Sequence, residues 1–180
     1  MTQYASPNSD VLDGAWTNAG GGQGALNSNV RKGTGDGSYI ISEVAMGFDP
    51  DLCKFGLQNP DDPNSDADHI VRYRAIAAGM FGPAPDLIIA LYQGSSGVRS
   101  VTNGSVSTSA LTDYSFTLTT AEAASIGDYD ALQLWITRGA GNMGDSMKLS
   151  EAYFECPDPS APAAAAPATV NPEAFLMFLD

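Results

Sequence analysis

The sequence is poor in the side chains that do most enzyme chemistry. Among 180 residues there is one histidine, His69, and there are two cysteines, Cys53 and Cys156. A Ser-His-Asp site would have to use His69, and a Cys2His2 zinc site lacks its second histidine. No Gly-x-Ser-x-Gly elbow lies near His69, so no catalytic residue is assigned. Two cysteines far apart do not make a disulfide framework; they read as small part-buried thiols in a reducing compartment, with a bridge between two strands as the alternative. Charge is scarce too. Only 16% of residues are charged, and 8 basic against 21 acidic side chains leave a net charge of −13. Such a chain repels phosphate and gains nothing from counterion release, which excludes general nucleic-acid binding and argues against an anionic membrane surface. Long apolar runs are absent: the longest stretch before the C-terminal region, residues 87–92, is far too short for a membrane-spanning helix. The opening Met1-Thr2-Gln3-Tyr4 has neither a basic start nor an apolar run, and the expectation is a chain without a secretion signal, made in a cytoplasm. No cofactor motif is present. The glycines at 20, 21, 22 and 24 follow no apolar strand and precede no Lys-Ser/Thr pair, so they form a loop and not a phosphate cradle.

What the chain does have is turns and short alternating segments. Its 19 glycines and 11 prolines favour turns over long helices. An apolar fraction of 43% is too high for a disordered chain, and the length suits one domain. Apolar residues alternate, or run on briefly, over residues 38–43, 53–57, 69–78, 86–93, 98–102, 114–118, 132–137 and 147–155. In the segment 69–78, Val71, Tyr73, Ala75 and Ala77 share one face; Arg72 and Arg74 share the other, which belongs at solvent or against acids. Residues 120–126 allow one helical turn capped by Thr119 or Thr120. Asn103-Gly104 reads as a two-residue hairpin turn. About eight short strands with no long amphipathic helix predict an all-β chain, an antiparallel β-sandwich of the jelly-roll kind. Ile40, Phe55, Val71, Tyr73, Ile89, Leu91, Phe116, Leu134 and Leu149 are its expected core.

The expected organisation is a flexible polar N-terminal arm at 1–9, the sandwich at 10–156 and a Pro/Ala-rich C-terminal tail at 157–180. After Cys156 prolines alternate with alanines, a semi-extended tether. It ends in the apolar plug Phe175, Leu176, Met177, Phe178 and Leu179. That plug is the expected partner-binding element, docking on a neighbouring subunit; the alternatives are a frayed end and a plug folded back on its own sandwich.

Two further features invite a site. Asp62, Asn64, Asp66 and Asp68 fall at spacing two, like the start of a calcium loop, but Ala67 stands at the turn glycine and Tyr73 at the closing acid. A solvated turn without bound metal is expected. Among the aromatics that might stack on sugars if exposed, Trp16, Trp135, Tyr92 and Tyr114, the one to watch is Trp135. It lies out of phase with Leu134 and Ile136, which makes it the candidate for glycan or interface contact.

Several segments together look familiar: Asp36-Gly37-Ser38-Tyr39-Ile40-Ile41-Ser42, Asp66-Ala67-Asp68-His69-Ile70-Val71-Arg72-Tyr73-Arg74, Leu91-Tyr92-Gln93-Gly94-Ser95, Tyr114-Ser115-Phe116-Thr117-Leu118-Thr119 and Leu149-Ser150-Glu151-Ala152-Tyr153-Phe154-Glu155. Over residues 9–155 their order and spacing resemble small jelly-roll structural proteins of tailed bacteriophages and prophages. The resemblance implies a virion component made in the host bacterium's cytoplasm. The expected role is a capsid decoration or cement protein, with a neck, collar or tail-baseplate accessory as the alternative. The implied partners are the major capsid protein, other virion subunits or further copies of this chain, with no nucleic acid, membrane or cofactor. For the plug the resemblance adds the capsid shell as a docking surface. It carries no catalytic residues over. A carbohydrate-binding adhesion module is the reading from a different class.

Overall fold

A computed structural model of the chain describes residues 1–43, 50–79 and 82–159. Its elements in chain order are β1 (Thr2–Ala5), β2 (Pro7–Leu12), β3 (Thr17–Asn18), β4 (Ile40–Glu43), β5 (Asp51–Leu57), β6 (Ile70–Ala78), β7 (Leu87–Gln93), β8 (Ser96–Asn103), β9 (Thr112–Thr117), α1 (Thr120–Ala123), β10 (Leu132–Arg138) and β11 (Ser146–Pro157). The first sheet runs β3-β4-β11-β6-β9, with β1 also paired to β11; the second runs β2-β5-β10-β7-β8. The pairings are antiparallel. Strands β4 to β11 are the eight that periodicity predicts, and the orders 4-11-6-9 and 5-10-7-8 are those of a jelly roll.

All nine expected core residues are buried, and the inward phases of β5, β6, β7, β10 and β11 supply most of the rest. Phe55, Phe154, Leu91, Leu134 and Ile136 lie between the sheets with almost no exposed surface. Arg72 and Arg74 point outward from β6, as the phase of that strand requires. Thr119 caps α1 through a reciprocal pair with Glu122, a capping box that satisfies two otherwise orphaned N–H groups.

Three local expectations are corrected. Residues 1–9 are not a free arm. Thr2–Ala5 pairs with β11, from Thr2 opposite Pro157 to Ala5 opposite Phe154, and Pro7–Leu12 pairs with β5. Within residues 1–9 only Ala5, Ser6 and Pro7 are buried, so the segment is too polar to show an apolar period. Asn103-Gly104 is not a hairpin, because β8 and β9 belong to different sheets. Instead Asn103 turns the chain across the sandwich. Its side-chain oxygen accepts from the Ser105 N–H at 3.0 Å, and its amide donates to the Tyr73 hydroxyl at 3.2 Å. The β7–β8 hairpin turns at Gly94, which holds a left-handed φ of 58°. In β11, strict alternation groups Met147 and Leu149 with Glu151, Tyr153 and Glu155. A β-bulge between Leu149 and Glu151 resets the phase, so Ala152, Phe154 and Cys156 go inward while Glu151, Tyr153 and Glu155 go outward.

Candidate functional site

The acid loop closes one end of the sandwich. Asp61, Asp62, Asn64, Asp66 and Asp68 are all exposed. Asn64 and Asp68 hold left-handed φ values of 51° and 58°, and the Asn64 N–H donates to the Asp62 carboxylate at 2.8 Å, a turn locked by its own side chain. Gln3 on β1 grips the loop by two bonds of 2.9 Å, to the Asp61 carbonyl and from the Asp61 N–H. Among the described residues no group of three or more His, Cys, Asp or Glu side chains converges to hold a metal ion. Asp62, Asp66 and Asp68 are therefore not brought together.

His69 is fully buried beside this loop. Its Nδ1 lies 2.8 Å from the Ala67 carbonyl oxygen, and its Nε2 lies 2.7 Å from the Tyr129 hydroxyl. A carbonyl only accepts, so Nδ1 carries a proton, and with Nε2 bare the ring accepts there from the Tyr129 O–H. Burial raises the Tyr129 phenol above its ordinary value. Both ring nitrogens are thus spent on fastening the loop to the core, where the ring also packs 5.7 Å from Phe154. Tyr129→Phe is expected to lower stability by about 1–3 kcal/mol, the cost of orphaning a buried acceptor. The midpoint of urea unfolding measures it, and an unchanged midpoint would refute the staple.

Cys53 and Cys156 are free and buried. Burial pushes the Cys53 thiol well up and moves Cys156 up to about 12. At pH 8 a thiol of that kind is on the order of one part in ten thousand thiolate, and the thiolate is the nucleophile. Titration with Ellman's reagent is expected to find both thiols silent in the native protein and both reactive after denaturation. A fast-reacting native thiol would contradict this placement.

At the other end lies a buried polar cluster. The Asp51 carboxylate accepts from the Ala15 N–H at 2.8 Å and from the Ser42 hydroxyl at 2.5 Å. Ser42 in turn accepts from Arg138 Nε at 2.9 Å, and Arg138 also donates to the Gly139 carbonyl at 2.7 Å. The Trp16 indole N–H donates to the Asp51 carbonyl at 3.2 Å, so Trp16 is a core residue and not a sugar platform. Burial pulls the Arg138 guanidinium pKa down, and the negative charges of Asp51 and Asp145 oppose that pull. Gly14, at φ 62°, packs so close that a Cβ there would strike the Leu52 carbonyl. The sequence carries one signal for this cluster: Arg138 keeps the inward phase of Leu132, Leu134 and Ile136.

The outer face of the second sheet carries Trp135. It points away from the core, as its phase predicts, but it is no open platform. Tyr92 stacks on the indole at 3.7 Å and 10°, and the Lys54 ammonium sits 3.4 Å over the ring. These partners come from β7 and β5, the strands flanking β10 on opposite sides, so each face of the indole has a neighbour. The Trp135 N–H donates to Gln133 at 3.0 Å. Tyr114 is half-buried and stacks on Tyr73 at 5.3 Å.

The outer face of the first sheet is different. A groove of about 530 Å³ is lined by Asp36, Arg72, Arg74, Asp113, Glu151 and Tyr153, among others. Arg74 is gripped by both oxygens of Asp36, at 2.7 and 3.0 Å, and by Asp113 at 3.0 Å. Arg72 pairs with Glu155. Asp36 is held below the usual carboxylate range by Arg74, and both arginines are raised by their acid partners. The groove escapes sequence reading because Glu151 and Tyr153 reach this face only through the bulge in β11. The plug residues Phe175, Leu176, Met177, Phe178 and Leu179 lie outside the described residues.

No protein-family model and no curated protein matches the chain. Among solved structures it is similar to SGBP-B from a complex xyloglucan utilization locus in Bacteroides uniformis, at 9% sequence identity and a TM-score of 0.45. The match covers 83% of this chain and 46% of that chain, so this chain spans about half the length of that protein.

Proposed function

We propose that the chain is a structural virion protein of a tailed bacteriophage, a head decoration or cement protein that binds the capsid shell through protein–protein contacts. The observation that carries the reading is where the reactive side chains lie. His69, Cys53, Cys156 and the Asp51–Ser42–Arg138 cluster are buried in bonds and packing that hold the fold. What remains for function is surface, on a frame of eleven strands in two sheets. The resemblance to phage jelly-roll proteins spans that frame and supplies the particle as its setting.

A cement protein works by adding buried area across subunit boundaries. Stable interfaces bury about 1,600 Å² in total, and many weak copies on one shell gain from effective concentration. In this reading the plug at 175–179 is an anchor, since each large apolar side chain fully buried on a neighbour contributes roughly 1.5–3 kcal/mol before ordering costs. The test is to add purified protein to particles lacking it, with the full chain and with a chain truncated after Ala168. The full chain is expected to load and resist dilution, and the truncated chain to wash off. Failure of the full chain to load would overturn the proposed role; equal retention of both would overturn the anchor.

A further inference from the structure

We propose that the outer groove of the first sheet is a binding site for a neutral, hydroxyl-rich glycan chain. The inference goes beyond the virion role and does not depend on it. Three elements build the groove. β6 supplies Arg72 and Arg74 as its floor. The β11 bulge turns Glu151 and Tyr153 to the same side, and the loop before β4 hangs Asp36 over them. That loop is itself fastened to β11: the Gly33 N–H donates to the Glu151 carboxylate at 3.0 Å, and the Thr34 hydroxyl to the Ser150 carbonyl at 3.0 Å. The binding groups are therefore set before any ligand arrives, which reduces the ordering cost of binding.

The charges select the ligand class. Along the groove Asp36, Asp113 and Glu151 oppose Arg72 and Arg74, a balance slightly negative on a chain already at −13. Phosphates, sulfates and acidic sugars are repelled. Arg74 lies between the Asp36 and Asp113 carboxylates and Arg72 beside Glu155, so guanidinium donors and carboxylate acceptors stand side by side on this face. A vicinal diol both donates and accepts, and it matches that arrangement. The Asp113 side chain remains 78% exposed despite its bond to Arg74, which leaves carboxylate lone pairs facing solvent. Tyr153, propped edge-on by Tyr4 at 6.0 Å and 69°, offers aromatic carbon to the C–H face of a sugar ring. The volume of about 530 Å³ falls in the range of ligand clefts, roughly 300–1,000 Å³.

The test is native affinity electrophoresis of the full chain in gels cast with dextran, soluble starch, galactomannan or hydroxyethylcellulose, with alginate as the anionic comparison. Retardation is expected in at least one neutral gel, unchanged by high salt, and absent with alginate. Asp113→Ala and Tyr153→Ala, both on the outer face, are each expected to weaken it about tenfold or more with unchanged circular dichroism and a melting temperature within a few degrees of wild type. Trp135→Ala is expected to leave it intact. No retardation in any neutral gel, retardation abolished by salt, or retardation indifferent to both groove variants would overturn the proposal. So would binding of an unstructured peptide library to the groove in place of glycan.

Discussion

Asp51→Ala is expected to destabilise the protein by about 3–5 kcal/mol, the range for breaking a buried charged network by removing one member. The carboxylate satisfies the Ala15 N–H and the Ser42 hydroxyl, and its charge favours the buried Arg138 guanidinium. Alanine removes all three effects and leaves polar groups buried. Domains of this kind have only about 5–15 kcal/mol of stability in total, so the loss takes a large share of it. Asp51→Asn keeps an acceptor and the shape but not the charge, and is expected to fall between wild type and alanine. Urea unfolding with a constant slope measures both. A loss below about 1 kcal/mol for Asp51→Ala, the scale of an ordinary exposed bond, would contradict the cluster as drawn.

The second large effect comes from two adjacent residues. Phe154→Ala is expected to cost about 3–5 kcal/mol, as for other buried aromatics cut to alanine. Phe154 has no exposed surface and packs against the His69 ring, so its loss also loosens the staple on the acid loop. Tyr153→Ala, one position earlier on the outer face, is expected to cost under about 1 kcal/mol. The contrast tests the bulge directly. If β11 kept strict alternation from Met147, Tyr153 would be inside and Phe154 outside, and the two costs would exchange.

Much of the fold is legible in the sequence because β4, β5, β6 and β10 bury alternate residues. That alternation places Val71 and Tyr73 inside and Arg72 and Arg74 outside without further information. The parts that escape are those set by tertiary partners. The polar strand Thr2–Ala5 exists because β11 extends past β4 and offers a free edge. The bulge at Ser150 is invisible to a period-two count, and with it the groove. Trp135 shows the same limit. Its outward phase is readable, but Lys54 and Tyr92 meet it from other strands, and no local pattern reports that both faces of the ring are covered.

The most direct test of the proposed role is whether the chain occurs in tailed-phage particles released by the source that encodes it, and at what copy number and position, read from a reconstruction and from quantitative mass spectrometry. The account predicts hundreds of copies, each with the sandwich at a symmetric site on the head shell. Roughly five to twelve copies at a symmetric ring would move the protein to the neck or tail, and its absence from the particle would contradict the account outright.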